Sequence, residues 1–379
     1  VKEFYLPTKI FMGDDALDRL EQLTNENIFL ITDPFIEKSG MLDEVLARMK
    51  GRNNDFEVFS EIVPDPPIET VVSGVKVIEE LNPGVIIAFG GGSTIDAAKA
   101  IKDFAIKLSI LKTEPKLIAI PTTSGTGTEV TSFSVITDQE KQLKYPIVSD
   151  SLLPQEAILA PNLVKSVPPA ITADTGMDVL THGIEAYVSI NATDFSDAFA
   201  EKAIQLIFEY LPRAYKNGED LEAREKVHHA SCLAGIAFNI AGLGINHSIA
   251  HASGAHFHIP HGRMNSLLLT TVIEFNADIQ DFSNRHYSNA AKKYAKLAKI
   301  LGLSSTNCRI GVKNLNQHIR LLQKELDMPT SLRQCGVTYD QVVKEKRVIS
   351  EAALIDACTK TNCKIPAIED LEKIIESIK

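Results

Sequence analysis

Residues Val85 to Lys99 constrain the fold more than any other stretch of this chain. Val85-Ile86-Ile87-Ala88-Phe89 is a short, wholly apolar run, Gly90-Gly91-Gly92 stops it, and Ser93-Thr94-Ile95-Asp96-Ala97-Ala98-Lys99 opens a helical pattern. A buried strand that ends in glycines and turns into a helix builds an anion site. Glycines admit backbone N–H groups close to a phosphate, and the helix start adds unpaired donors with about half a positive charge. A glycine turn without a ligand reads the same way. Ser93 stands three residues before Asp96, the spacing of a capping box, which would commit Asp96 to the helix start.

The same strand-then-loop pattern occurs twice more. Ile28 to Thr32 leads into Asp33-Pro34, and Leu117 to Ile120 leads into Pro121-Thr122-Thr123-Ser124-Gly125-Thr126-Gly127-Thr128-Glu129. Apolar runs alternating with helical patterns predict a parallel sheet covered by helices. Two hydroxyl- and glycine-rich loops at one sheet edge can hold a diphosphate and its ribose. A carboxylate at Asp33 would accept hydrogen bonds from an adenosine ribose and repel a 2′-phosphate, which favours NAD over NADP; the alternative is a turn-former before Pro34. The acidic residue precedes the glycines, whereas the usual Rossmann fingerprint places it ~20 residues after them, so the topology is related but not standard.

After Pro161 the β-branched runs give way to Ala-, Leu-, Glu- and Lys-rich segments with apolar spacing of three and four, and helices are predicted near Thr181–Tyr187, Phe195–Tyr210, Leu221–Ala241, Ser283–Leu301 and Lys313–Leu326. With 379 residues, 44% of them hydrophobic, the chain can bury two cores. The expected class is α/β: a Rossmann-like parallel-sheet N-terminal domain over 1–166 and an all-helical C-terminal domain over 167–379, hinged at Asn162–Pro169. A net charge of −10 without a basic stripe excludes a nucleic-acid partner and points to small molecules. Five cysteines without paired spacing fit reduced thiols, no signal-like start is seen, and no stretch approaches the ~20 apolar residues of a membrane span, so a cytoplasmic enzyme is expected.

The second half carries the sharper chemical signal. Asp178 and His182 lie four apart, as do His247 and His251, so on helices each pair shares a face; His261 follows Pro260. Asp178, His182, His247 and His261 offer one oxygen and three nitrogens, a set that suits Fe, Zn or Mn. A single histidine is more often a satisfied residue than a ligand. Seven of the ten histidines, however, fall between His228 and His261, where the remaining residues are small and apolar and an unpaired imidazole is costly to bury. His228, His229, His256 and His258 lack the paired spacing and read as surface, dimer-contact or pocket-lining residues.

Taken together, these residues resemble the iron-containing alcohol dehydrogenases. The resemblance spans nearly the whole chain: Gly90-Gly91-Gly92-Ser93 with Asp96 and Lys99, the Pro121 to Glu129 loop, Thr175-Gly176-Met177-Asp178 with His182 and Glu185, and the His247, His251 and His261 block. Phe59 to Pro66, Ile171-Thr172-Ala173 and Gly242 to His247 are most similar to the branch acting on 1-propanol in propanediol-utilisation microcompartments. The resemblance implies a dehydroquinate synthase-like fold, Fe²⁺ held by Asp178, His182, His247 and His261, and NAD(H) in the cleft. Asp33 and Asp65 would then contact the adenosine side, and Gly91, Gly92, Ser93 and Thr94 the diphosphate. Thr122, Thr123, Thr131, Phe133 and Lys144 would surround the nicotinamide and its ribose. Ala160 before Pro161, Ser253 and Ile240 depart from the family pattern without touching a ligand position.

The implied reaction is hydride transfer between NAD(H) and a short alcohol or aldehyde, with the metal as Lewis acid and His251 passing a proton between substrate and solvent. Reduction of propanal is expected, with lactaldehyde, 1,3-propanediol or ethanol as alternatives. A homodimer, and microcompartment shell or enzyme partners, follow from the same resemblance. Two rivals from other classes stay open: an NAD- and metal-dependent sugar-phosphate cyclase, which would want cations near the ligands, and a scaffold that kept a cofactor fold.

Overall fold

The computed structural model describes residues 3–111, 113–139, 143–279 and 287–379, without the side chains of 143, 144 and 255. The chain divides into two compact units, Val1–Val167 with Glu219–Gly235, and Pro168–Gly218 with Ile236–Lys379.

The first unit is built on a sheet. Its elements run β1 (Lys9–Met12), β2 (Asn27–Ile31), α1 (Pro34–Ser39), α2 (Met41–Met49), β3 (Asp55–Phe59), α3 (Ile68–Leu81), β4 (Val85–Gly90), α4 (Gly92–Lys107), β5 (Lys116–Pro121), β6 (Phe133–Asp138), β7 (Leu143–Val148) and β8 (Glu156–Leu159). Six strands pair in the order β1-β8-β5-β4-β2-β3, every pair parallel, while β6 and β7 form a separate antiparallel ribbon. The central strands are apolar throughout because both faces are covered. Ile28, Leu30, Val85, Ile87, Phe89, Ile118 and Ile120 face Leu17, Leu20, Val45 and Met49 on one side. Phe29, Ile31, Ile86, Ala88, Leu117 and Ala119 face Val71, Ile78, Ala97, Ala98 and Ile101 on the other. Consecutive residues alternate between the two cores, as a pleated strand requires. From β2 the chain moves outward to β3, and from β4 it moves the opposite way to β5. The reversal therefore falls between β2 and β4, where parallel sheets open a crevice at their C-terminal ends.

α7 (Leu221–Ala241) is shared between the units: its residues up to Gly235 group with the first. The expected second domain, continuous from 167, thus lacks this segment. Arg224 Nη2 donates to Lys165 O at 3.0 Å and Val167 O at 2.8 Å. At the far end, a Cβ on Gly127 would meet Gly235 Cα at 2.7 Å, so only glycine permits this approach, and the φ of +61° at Gly127 favours it as well. Periodicity reports that a helix exists and says nothing about which core it joins.

The second unit consists of helices: α5 (Pro169–Val188), α6 (Asp194–Lys216), the end of α7, α8 (Ile245–Phe257), α9 (His261–Ala277), α10 (Asn289–Ile300), α11 (Cys308–Glu325), α12 (Tyr339–Ile355) and α13 (Ile368–Ser377). No strand occurs here among the described residues. α5 starts at Pro169, twelve residues before the expected Thr181, directly at the last residue of the expected hinge. From Thr172 to Val188 every residue except Thr175 is buried, so the helix has no polar face and no period to read. Proline suits its first position, where the missing N–H is not needed. Of the helix expected at Ser283–Leu301, the part over 283–286 lies outside the described residues. No single helix among the described residues is long and apolar enough to cross a membrane.

Candidate metal centre and dinucleotide edge

Three helices of the second unit bring the candidate ligands together. Asp178 sits mid-way along α5, His247 in the first turn of α8 behind Gly244, and His261 opens α9 behind Pro260. One donor atom each from Asp178, His247 and His261 lies within 4.8 Å of the others. Asp178 Oδ1 is 3.5 Å from His247 Nε2 and 3.7 Å from His261 Nε2. His182, the fourth expected ligand, is buried one turn beyond Asp178, its ring stacked on that of His247 with centroids 4.6 Å apart. Gly262 makes the convergence possible, because a Cβ there would lie 2.0 Å from Asp174 O on α5. Beside it Arg263 grips the Asp174 carboxylate through Nε at 3.0 Å and Nη2 at 2.9 Å, which ties the start of α9 to α5.

The cluster fits a divalent cation. His247 Nδ1 meets Glu185 Oε2 at 2.6 Å, the carboxylate–histidine pairing that turns Nε2 toward a metal. Asn265 Nδ2 touches all three donor atoms, at 2.7 Å from Asp178 Oδ1, 3.1 Å from His247 Nε2 and 3.1 Å from His261 Nε2. With His247 protonated only at Nδ1, the amide has two hydrogens for these three acceptors, so the set is left one positive partner short, a place that a second proton on His247 or a cation would fill. The electrostatics agree. Burial works against ionising Asp178, but the imidazoles of His182, His261 and His247 hold its carboxyl well below the usual range. Burial likewise opposes charge on His247, yet its bonds to Asp178 and Glu185 raise its pKa to about 9. His247 thus takes up a proton while burial lowers His261 to about 3 and keeps it neutral, and a cation at His247 Nε2 would replace that proton.

His251 lies one turn after His247 and is 38% exposed. Its ring stacks on His261, with centroids 5.3 Å apart and planes at 10°, and its Nδ1 is 3.1 Å from Asp356 Oδ2. Asp356 Oδ1 also accepts from Cys358 N at 2.8 Å and Ser248 Oγ at 3.3 Å. His251 therefore has one ring nitrogen anchored on a carboxylate while the ring reaches solvent. Two other histidines have different partners: His256 Nδ1 pairs with Glu345 at 2.9 Å, and the buried His228 Nδ1 with Ser124 Oγ at 2.9 Å.

In the first unit, Asp33 follows β2, Gly91 and Gly92 follow β4, and Thr122 follows β5, all at the C-terminal edge of adjacent strands. Asp33 Oδ1 caps α1, accepting from Phe35 N at 2.9 Å and Ile36 N at 3.0 Å. The turn-forming role weighed for it is thus occupied by one oxygen, while both of these bonds spare Oδ2. Asp65, with φ +52°, donates its N–H to Ser93 Oγ at 3.3 Å. Ser93 does not cap α4: Gly91 is the cap, without a side-chain bond. Asp96 instead accepts from Thr128 Oγ1 at 2.6 Å and Val135 N at 3.1 Å, because a partner far in sequence outcompetes the local one. Thr94 and Thr122 are buried and Thr123 half-buried. Thr131 and Phe133 are held by Lys99, whose Nζ donates to Thr131 O at 2.7 Å, Phe133 O at 2.8 Å and Thr128 Oγ1 at 2.9 Å. Lys144 falls in β7, but its side chain lies outside the described residues.

Both halves of the chain match known families. Residues 7–161 match the model for iron-containing alcohol dehydrogenases, and residues 172–379 match the C-terminal region of the same family. The chain belongs to the iron-containing alcohol dehydrogenase family. The enzyme is 45% identical to the 1-propanol dehydrogenase PduQ of Citrobacter freundii, with 100% of each chain covered. Among solved structures it is similar to a 1,3-propanediol oxidoreductase, at 31% identity, TM-score 0.90 and 100% coverage of both chains. It also resembles the sulfoacetaldehyde reductase of Bifidobacterium kashiwanohense in complex with NAD⁺, at 27% identity and TM-score 0.86, covering 100% of this chain and 98% of that one.

Sequence reasoning gave no role to Asn246, Asn265 or Asp356 in this dehydrogenase, and quoted Glu185 only as part of a motif. Asn265 stands four residues after His261 and Glu185 three after His182, so helical spacing from a ligand was the available signal. Asp356 lies 105 residues from His251, beyond the reach of any local rule.

Proposed function

We propose that this enzyme reduces a short aldehyde, propanal first among them, to its primary alcohol with NADH, using Fe²⁺ held by Asp178, His182, His247 and His261. The observation that carries the proposal is the meeting of Asp178 Oδ1, His247 Nε2 and His261 Nε2 on one buried point. The name of its Citrobacter relative supports the substrate, and the NAD⁺ complex of its Bifidobacterium neighbour supports the cofactor. When bound, Fe²⁺ supplies Lewis acidity toward the alcohol or aldehyde oxygen, and the nicotinamide gives or takes the hydride.

The chain's own residues do the rest. Glu185 keeps His247 in the tautomer that presents Nε2. Gly91, Gly92, Ser93 and Thr94 would bind the diphosphate at the start of α4, and Asp33 and Asp65 the adenosine ribose. Thr122, Thr123, Thr131, Phe133 and Lys144 would flank the nicotinamide end, where Lys99 fixes the backbone of Thr131 and Phe133. His251, steadied at Nδ1 by Asp356, would take the proton that an alcohol loses on oxidation and return it on reduction. Arg263, two residues after His261, is committed to Asp174, an arrangement that does not favour the anionic substrate of a cyclase. A homodimer, and residence in the cytoplasm or a microcompartment with its shell and enzymes as partners, rest on the family resemblance alone.

A substrate panel tests the reading: propanal, acetaldehyde and lactaldehyde with NADH and NADPH, on Fe²⁺-loaded protein under argon and again with Zn²⁺. We expect the highest kcat/KM for propanal with NADH. Failure to oxidise NADH with every aldehyde sinks the proposal.

A further inference from the structure

Asn265 is fully buried and sits one turn along α9 from His261. Its amide nitrogen lies 2.7 Å from Asp178 Oδ1, 3.1 Å from His247 Nε2 and 3.1 Å from His261 Nε2. The amide is fixed from behind. Asn246 Nδ2 donates to Asn265 Oδ1 at 2.9 Å and to Asn265 O at 3.1 Å, and the Asn246 backbone N–H donates to Glu185 Oε1 at 2.7 Å. The other oxygen of Glu185 meets His247 Nδ1. Turning the Asn265 amide over would set its NH₂ against that of Asn246 and its carbonyl against the Asp178 carboxylate, so two attractive contacts would become two repulsive ones. Three helices thus meet in a closed polar ring of Glu185, Asn246, Asn265 and the candidate ligand atoms, all buried except at His261.

We propose that Asn265 is a positioning residue for the metal ligands. It is a fixed amide donor that keeps Asp178 Oδ1, His247 Nε2 and His261 Nε2 converged, with Asn246 deciding which end of the amide faces them. The proposal rests on reading these three as ligands. Its physics is specific to that arrangement. With His247 deprotonated at Nε2, as a metal ligand must be, three acceptor atoms brought within 4.8 Å of one another repel, and a buried carboxylate oxygen without a donor is costly. The amide offsets both costs, but with two hydrogens for three acceptors it cannot outbid a divalent charge. A neutral donor of this kind holds the cluster open for a cation, and its N–H on Asp178 fixes the carboxylate rotamer.

The test uses Co²⁺ as the probe, in competition with a chromophoric chelator, on the full chain. Asn265→Ala is expected to weaken Co²⁺ binding by roughly 10- to 100-fold, the range seen when groups behind a metal ligand are removed, and to change the cobalt visible spectrum. Asn246→Leu leaves Asn265 in place but unpins its amide, and should weaken binding in the same direction by less. Asn316→Ala is the control: it removes a buried amide that bonds Thr270 O on the same helix, so it should lower the thermal midpoint and leave Co²⁺ affinity and spectrum unchanged. If Asn265→Ala and Asn246→Leu both bind Co²⁺ as the natural sequence does, with the same spectrum, the inference is overturned. Should Asn265→Ala not fold, Asn246→Leu alone decides, unchanged binding overturning the inference. A natural chain that binds no Co²⁺ removes the metal reading itself, which is a different failure.

Discussion

Asp33 has one observed role and one proposed. Its Oδ1 is committed to the start of α1. In the proposed function its negative charge also meets the adenosine ribose, where a 2′-phosphate would be repelled. Asp33→Gly should therefore raise kcat/KM for NADPH relative to NADH by about tenfold, equivalent to about 1.4 kcal/mol. Glycine is a tolerated cap, so helix stability should fall by only a few tenths of a kcal/mol. Unchanged NADH preference at equal stability would remove the claim.

Glu129 gives the residue scale a pH signature. It is 2% exposed, and burial raises its pKa to about 7, opposed by its own backbone bond and by the nearby Lys99 ammonium. Burial in turn lowers Lys99 to about 8, opposed by Asp96 and Glu129, although the acceptors around its Nζ suit the charged form. For a carboxyl whose folded pKa is raised, the folded state holds the proton longer than the unfolded one. Stability attributable to Glu129 is then greatest below its unfolded pKa of about 4.5 and is lost as pH climbs toward 7. Glu129→Gln should flatten that decline, read as a smaller change in urea midpoint between pH 5 and pH 7 than in the natural sequence. An identical slope in both proteins would contradict the assignment.

Among elements, the pairing of α5 with α9 matters most, because the two carry Asp178 and His261. Their closest approach is at Gly262, with the Arg263–Asp174 pair beside it. Gly262→Ala forces the start of α9 off α5, since its Cβ would lie 2.0 Å from Asp174 O. We expect a loss of about 1–3 kcal/mol in unfolding free energy, as for other overpacked sites. Metal content after dialysis should fall more steeply than stability does, because the displacement separates His261 from Asp178. Full metal retention in a folded Gly262→Ala protein would show that the approach serves packing alone.

At the scale of the molecule, the proposed ligand atoms of Asp178, His247 and His261 come from α5, α8 and α9 of one helical unit, so metal binding there would be linked to the folding of that unit. A cation held only by the folded state, at 100 times its Kd, stabilises by about 2.7 kcal/mol. Fe²⁺ or Zn²⁺ should therefore raise the thermal midpoint, EDTA should reverse the shift, and His261→Ala should abolish it by disrupting the ligand set. A midpoint indifferent to metal and chelator in the natural sequence would argue against a resident ion.

Much of this was legible in the sequence. The strands at Ile28, Val85 and Leu117 and the helices from Leu221 and near Phe195 are visible because burial on both faces of a strand leaves a short continuous apolar run, and burial of one face of a helix leaves a period in the letters. The signal for the candidate ligands is likewise local: i, i+4 pairs and a histidine after proline stand out in a segment with few other polar groups. What the letters do not hold is anything that depends on a partner far along the chain. The full extent of α5 is silent because packing surrounds it, and the grouping of α7 up to Gly235 with the first unit involves Gly127 meeting Gly235. Asp96 bonds Thr128 and Val135 rather than its own helix start. The donors behind the ligands, Asn246, Asn265 and Asp356, acquire meaning only once three helices and a distant turn converge. Local spacing fixes which residues can act, because side-chain direction follows the backbone period; tertiary packing decides which of them meet, because a buried polar group takes whatever partner the fold brings to it.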